Sequence, residues 1–298
     1  MSEIPTTNPE TAVSIEDPET GVPASAVLTP MERVRLARDT HRPHTLDYIR
    51  ELFTDFIELH GDRSFGDDRA LIGGVASFRG RSVMILGHQP GTNTHENLER
   101  NFGMPRPEGY RKARRLMEHA EKFGFPLITF IDTPAADPGV GSEERGQGTA
   151  IAESLLAMIG LRVPIVCVVI GQGGSGGALA ISIGDRLLML ENAIYAVAPP
   201  EACAAILWKD ASKAEEAAAT MRITANDIAG FGIIDEVIAE PVPAHEAPRE
   251  TIRAVGERIA THLDDLIAGL GEGDLAAVDA MLKARYERFR GIGVWHEI

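Results

Sequence analysis

From Pro164 to Asp185 the chain reads PIVCVVIGQGGSGGALAISIGD: a run of apolar β-formers, five glycines within the seven residues 171–177, then a small apolar segment with helical spacing. Glycine costs backbone entropy, so it accumulates where φ must be positive or where something must approach the main chain. The pattern predicts a strand, a tight turn and a helix beginning near Gly176. The first turn of that helix has N–H groups without intrahelical partners, and bare glycines leave them open to an anion or a polarised carbonyl oxygen. Gly176 and Gly177 are therefore the candidate donors of an oxyanion hole, with Gly173 and Gly174 forming the turn.

Working outward, the apolar runs alternate with helical patterns. The strand PLITFID is followed by the loop TPAADPGVGSEERGQG and a helix through Leu156; PIVCVVI is followed by the glycine turn, a helix and the strand RLLML. Near-continuous apolar strands alternating with helices predict an α/β fold with a parallel sheet covered on both faces. Loops leaving the carboxyl ends of such strands are where ligands bind, which draws attention to the loop after Asp132 as well as the glycine turn. Further upstream, ALIGGVASF and SVMILGH predict a hairpin turning at Arg79-Gly80-Arg81. A helix after Thr45 is expected to carry Leu46, Ile49, Leu52, Phe53, Phe56 and Ile57 on one face and to stop at Gly61. Additional helices are expected around Glu201–Trp208, Ser212–Met221 and Pro248–Leu270.

Composition bounds the rest. The chain has 298 residues, 44% of them apolar, enough for one large domain. Residues 1–30 hold five prolines, five acidic residues and no Lys or Arg, which predicts a disordered tail before a domain over 31–290 and a short tail over 291–298. There is no secretory signal pattern and no apolar stretch of membrane-spanning length, so a cytoplasmic location is expected. The net charge of −15 argues against nucleic acid or an anionic membrane as the main partner. A local basic run, Arg100, Arg106, Arg111, Lys112, Arg114 and Arg115, reads as the solvated face of a helix starting near Pro107, or as a patch for the phosphates of coenzyme A or an acidic partner. Cys167, in a buried strand, and Cys203, in a helix, read as reduced packed thiols.

Several other chemistries can be tested on the same residues. Gly171, Gly173 and Gly176 match a dinucleotide fingerprint, but deep in the chain rather than in an opening βαβ unit. Gly173 to Gly177 also match a nucleophile elbow around Ser175, yet His245, His262 and His296 bring no triad pattern with them. His41, His44, His88 and His95 lie near a chain end or in a loop, without ligand spacing, and read as polar surface or turn residues rather than metal ligands. Glu143, Glu144 and Arg145 read as an ion-pair latch with helix-start charge. What remains is a fold with backbone donors and no evident side-chain acid or base, which points to enolate chemistry on a thioester.

The stretches HRPHTLDYI, ELHGDRSFGDDRALIGG, RNFGMPRPEGYRKA, FIDTP, PGVGSEERGQ, VIGQGGSGGALAISIGD and PPEACAAILW, spread from about Pro43 to Tyr286, resemble the carboxyltransferase alpha subunits of bacterial acetyl-coenzyme A carboxylase. The resemblance implies a crotonase-like spiral of β-β-α units with flanking helices. It also implies transfer of a carboxyl group from carboxybiotin, presented on a biotin carboxyl carrier protein, to acetyl-coenzyme A. Carboxybiotin gives up carbon dioxide, the released biotin takes a proton from the acetyl methyl, and the enolate attacks the carbon dioxide to give malonyl-coenzyme A. Two oxyanions develop; the resemblance assigns that on the biotin urea to Gly176 and Gly177, and the other to a beta subunit.

The partners so implied are that beta subunit, in a heterotetramer of two alpha and two beta chains, the carrier protein and biotin carboxylase. No cofactor is expected to be bound covalently, and zinc is expected only in the beta subunit. Gly173, Gly174, Gly139, Gly141, Ala135 and Asp137 are the candidate substrate-binding positions. Where the family commonly reads DTPGAYPGVG, this chain has Ala135 and Asp137, and its loop after His88 lacks the usual Lys and Arg. A stand-alone crotonase-type hydratase or hydrolase, a subunit for another acyl-coenzyme A and a catalytically silent scaffold are the alternatives.

Overall fold

The structure, a computed structural model, describes residues 28–271 and 274–293. The expected acidic tail thus falls outside the described residues but for its last three, and the C-terminal tail but for its first three. In chain order the elements are α1 (Pro30–Ala37), α2 (Thr45–Leu52), β1 (Thr54–Glu58), β2 (Leu71–Phe78), β3 (Arg81–His88), α3 (Thr94–Glu99), α4 (Pro107–Phe123), β4 (Leu127–Thr133), α5 (Val140–Glu144) and α6 (Gln147–Gly160). They continue with β5 (Ile165–Gly174), α7 (Ser175–Leu179), β6 (Arg186–Leu190), β7 (Ile194–Ala196), α8 (Pro200–Trp208), α9 (Ala214–Met221), α10 (Ala225–Gly230), β8 (Glu236–Ile238), α11 (Pro248–Ala268) and α12 (Leu275–Arg290).

One sheet organises them, in the order β1-β2-β3-β4-β5-β6-β8, with β7 paired to the far end of β5. The β2–β3 hairpin is antiparallel in full register, and Arg79 and Gly80 both take positive φ at its turn, 50° and 80°, as a two-residue turn that matches strand twist requires. From β3 onward every pairing along the sheet is parallel. All seven residues of β4 are buried, which is why that strand reads as mostly apolar, its polar members being Thr129, Asp132 and Thr133. Against this sheet packs α4, whose Tyr110, Ala113, Leu116, Met117 and Ala120 are fully buried at helical spacing. Each such large apolar side chain removed from water contributes about 1.5–3 kcal/mol.

The expected helix after Thr45 is shorter than its apolar face suggests. It ends at Leu52, and Phe56 and Ile57 belong to β1, which pairs with β2. Asp55 has φ 55°, a break no helix tolerates, and Gly74 lets the β1 backbone approach closer than any Cβ would allow. The sequence reading passes over the short helices α3, α5 and α10, and over two at the ends of the described residues. At the N-terminal end, α1 starts at Pro30, the last residue assigned to the tail, and is closed by a capping box between Thr29 and Glu32. Near the C-terminus, α12 has Arg285 as its buried residue and is also tied by Arg288 to Asp235 and by Asp279 to Arg162.

The basic run is neither a solvated face nor a phosphate patch. Lys112 is fully buried, 2.6 Å from Asp67 and 2.8 Å from the Asp68 carbonyl; Arg111 meets Asp62 at 2.7 Å. Arg114 binds Glu118 and Glu153, while Arg100 and Arg115 donate to main-chain carbonyls. Arg111, Lys112 and Arg115 tie α4 to the loop before β2, Arg100 reaches that loop from the end of α3, and Arg114 joins α4 to α6. Among the described residues, no helix is long and apolar enough to cross a membrane.

Candidate functional site

The glycine turn sits at the carboxyl edge of the sheet, but the strand runs further than expected. Gly173 and Gly174 are still in β5, laddered to Tyr195 and Ala196 of β7, so they are strand residues rather than the turn. The reversal occurs at Ser175, which holds φ 52°, and α7 lasts only five residues. So short a helix brings little dipole, and its value to the site lies in its free donors. As first-turn residues of α7, Gly176 and Gly177 have N–H groups without a partner inside the helix.

Close packing explains the glycines. At Gly174 an added Cβ would run into the Pro134 carbonyl; at Gly177 it would lie 2.6 Å from the Ala136 nitrogen and 2.7 Å from the Ala135 carbonyl carbon. The loop after β4 therefore rests directly on the glycine turn. Gly176 differs, its nearest neighbour being an Ile151 methyl at 3.6 Å. Ala136 N–H has no acceptor among the described residues, and it lies against Gly177, next to the first turn of α7. Sequence reasoning missed Ala136, because a backbone donor leaves no mark in residue type.

The other candidate positions play supporting parts. Ala135 is braced by Thr133, whose Oγ1 donates to its carbonyl at 2.7 Å. Asp137 donates its N–H to the Pro105 carbonyl at 3.0 Å and accepts from Ser142 Oγ at 2.5 Å. Burial opposes its ionisation, but hydrogen bonds from Ser142 and Asn101 and the nearby Arg106 outweigh that and hold the carboxyl below its ordinary range. Asp137 thus anchors its loop. Gly139 caps α5 and Gly141 lies within it, both in the same braced loop. The expected latch forms through Arg145, which meets Glu108 of α4 at 2.5 Å, while Glu143 and Glu144 stay exposed.

The histidines require a correction. His41 and His95 are exposed, as expected of surface residues, but His44 and His88 are buried at the site. Asp132, at the end of β4, joins them: its Oδ2 is 2.7 Å from His44 Nδ1, its Oδ1 accepts the Gln172 N–H at 3.0 Å, and its own N–H donates to His88 Nδ1 at 3.3 Å. Full burial pushes His88 down to about 4, with Asp132 and the main chain of Gly177 and Phe130 pulling weakly the other way. His88 is therefore a neutral ring wedged beneath the two loops. The motifs HRPH and GHQ held the signal, but a histidine next to a proline or in a polar loop looks exposed until the sheet brings Asp132 to it. Among the described residues, by contrast, Ser175 makes no hydrogen bond to a histidine, so the elbow reading gains no support.

Comparison with known proteins places this geometry. Residues 19–293 match the family model described as acetyl co-enzyme A carboxylase carboxyltransferase-like. The chain is 54% identical over 269 residues to the acetyl-coenzyme A carboxylase carboxyl transferase subunit alpha of Geobacillus thermodenitrificans, covering 90% of this chain and 81% of that one. It is 51% identical over 271 residues to the same subunit of Thermus thermophilus, covering 91% and 84%. Among solved structures it resembles transcarboxylase 12S with methylmalonyl-coenzyme A bound, at TM-score 0.62 and 22% identity over 76% of this chain and 42% of that one. It also resembles a Pseudomonas malonate decarboxylase hetero-tetramer in complex with coenzyme A, at TM-score 0.57 and 20% identity over 76% and 92%. These two likenesses bear on the fold, which is that of the crotonase-like carboxyltransferases.

Proposed function

The chain belongs to the family of carboxyltransferase alpha subunits of acetyl-coenzyme A carboxylase, and we propose that it performs its part of the transfer to acetyl-coenzyme A through the three main-chain donors of Ala136, Gly176 and Gly177. The observation that carries this is the Ala135–Ala136 backbone packed directly on Gly177, in the first turn of α7. First-turn N–H groups lack partners within their helix, so they are suited to an oxygen on which negative charge develops. Losing one such donor costs on the order of 3 kcal/mol in barrier.

The biotin urea is the oxygen we assign to them. Carboxybiotin, delivered by the biotin carboxyl carrier protein, supplies the carboxyl group. The chain's residues hold the urea oxygen, exclude water with the braced loop 134–142, and keep His88 neutral beneath it. Absence of a free acid or base among the three donors suits a reaction in which the proton passes between the substrates themselves.

A carboxyltransferase subunit implies a partner subunit. We take that partner to be a beta chain bearing the zinc ribbon and the second oxyanion hole, in a heterotetramer of two alpha and two beta chains, with biotin carboxylase completing the enzyme. Asp137 and Ala135 do not favour a silent scaffold, since one anchors the loop and the other presents its backbone where the family's glycine would. The test is the reverse reaction, malonyl-coenzyme A plus biocytin giving acetyl-coenzyme A, with the co-purified complex and with each subunit alone. Turnover in the complex alone is expected; turnover by this chain alone would overturn the shared site.

A further inference from the structure

Beside the glycine turn lies a cavity of about 330 Å³ whose walls include His44, Asp132, Pro134, Gln172, Asn97 and Phe102. Most of its polar groups are committed. Arg38, its one Lys or Arg, holds Glu201 at 2.7 and 3.1 Å and the Gln172 Oε1 at 3.1 Å. Asn97 bridges the main chain of Gly91, at 3.0 Å in each direction. Asp132 is shared between His44 and the Gln172 N–H.

His44 is the exception. Its side chain is 6% exposed, its Nδ1 is tied to Asp132, and its Nε2 is buried with no partner among the described residues. A carboxylate on one ring nitrogen fixes the tautomer, so the other nitrogen is left as a hydrogen-bond acceptor. An acceptor removed from water and left unpaired calls for a donor that arrives with a ligand. Phe102, also in the cavity wall, holds left-handed backbone together with Asn101, φ 55° and 47°, a local strain of the kind found at ligand clamps.

Charge narrows the ligand class. With Arg38 neutralised and Asp39 and Asp132 in the walls, the cavity offers nothing to a phosphate or a coenzyme A diphosphate. An aromatic face, two prolines and one imidazole acceptor suit a flat, uncharged ring that carries an N–H.

We infer that His44 is a substrate-contacting residue, whose Nε2 accepts a hydrogen bond from an N–H of a cyclic urea docked between Phe102 and Pro134. Naming that urea as the biotin ring rests on the function proposed above; the cavity and its unpaired nitrogen do not. The contact fixes the ring's rotation, so that its oxygen is presented to the donors of the glycine turn.

The test compares the wild-type complex with His44→Asn, which keeps an N–H toward Asp132 and loses the Nε2 acceptor. In the reverse reaction kcat/KM for biocytin should fall about tenfold or more, the size expected for one lost hydrogen bond to a buried partner, with KM for malonyl-coenzyme A within about twofold. Saturation-transfer NMR should show biocytin on the wild-type complex and lose it in the variant. Equal losses for both substrates, or none, overturn the inference and leave the proposed function standing. An inactive wild-type complex that still binds biocytin through His44 overturns the proposed function and leaves the contact. Absence of biocytin binding to the wild type overturns the contact. His44→Gln, whose amide oxygen can stand near the Nε2 position as an acceptor, should recover part of the loss; no recovery with a folded His44→Gln, or equal losses in both variants, would overturn the contact.

Discussion

At the scale of single residues, the site depends on one histidine and two glycines with different burdens. His88 is held near 4 by burial, against an ordinary value near 6.5. The unfolded chain therefore binds the proton more readily between those two values, and stability must rise with pH across that window. The contribution is complete above about pH 6.5 and is lost as pH falls toward 4, amounting to about 3 kcal/mol over the interval. His88→Gln should flatten the slope of urea-unfolding free energy against pH between 6.5 and 4 relative to wild type; an unchanged slope would place the titration elsewhere. The glycines divide by crowding. Gly177→Ala must displace the Ala135–Ala136 backbone and should cut carboxyl transfer by roughly 10²-fold, the scale of one lost oxyanion donor. Gly176→Ala meets only an Ile151 methyl at 3.6 Å, keeps its N–H, and should stay within about threefold of wild type. Steady-state rates of the two variants in the assembled complex, with thermal unfolding as control, separate the positions. Gly176 and Gly177 were legible in the sequence because glycine density marks close approach. Ala136, His44 and His88 were not, since their roles come from what lies across the sheet.

At the scale of elements, legibility followed the apolar period. The hairpin and the strands β4, β5 and β6 were readable because burial on both faces forces a near-continuous apolar run, and α4 because its buried positions recur at helical spacing. Elements without a long buried apolar stripe were not: β7 and β8 are three residues each, and the buried residue of α12 is Arg285. Arg285 shows why such a helix still has a fixed place. It is fully buried, pairs with both oxygens of Asp185 at 2.8 Å, and donates to the carbonyls of Met158, Leu161 and Val163 at 2.7–3.0 Å. Removing it leaves a buried carboxylate and three carbonyls short of a donor. Arg285→Met should destabilise by about 3–5 kcal/mol. It should also expose α12 to proteolysis well before the sheet, and coincident loss of both would show that α12 is part of the same cooperative unit.

At the scale of the molecule, the segment before α2 and the segment after β8 are closed onto the glycine strand by a second buried pair. Arg42 reaches both oxygens of Glu240, at 2.9 and 3.0 Å, across 198 residues of sequence, and donates to the Ile170 carbonyl at 3.1 Å, one residue before the glycine run. Glu240 in turn accepts the N–H groups of Asn192 and Ala244, each at 2.9 Å. The two segments thus meet on β5, next to the glycine run. Either partner alone is a buried charge, so Arg42→Met and Glu240→Gln should each cost about 3–5 kcal/mol in urea unfolding. The double variant should be clearly more stable than the sum of the two losses, because it removes both charges together. Glu240→Gln keeps an amide oxygen for Asn192 and Ala244, so it should be the milder of the two singles. If the losses instead add without coupling, the pair is not what joins the two segments.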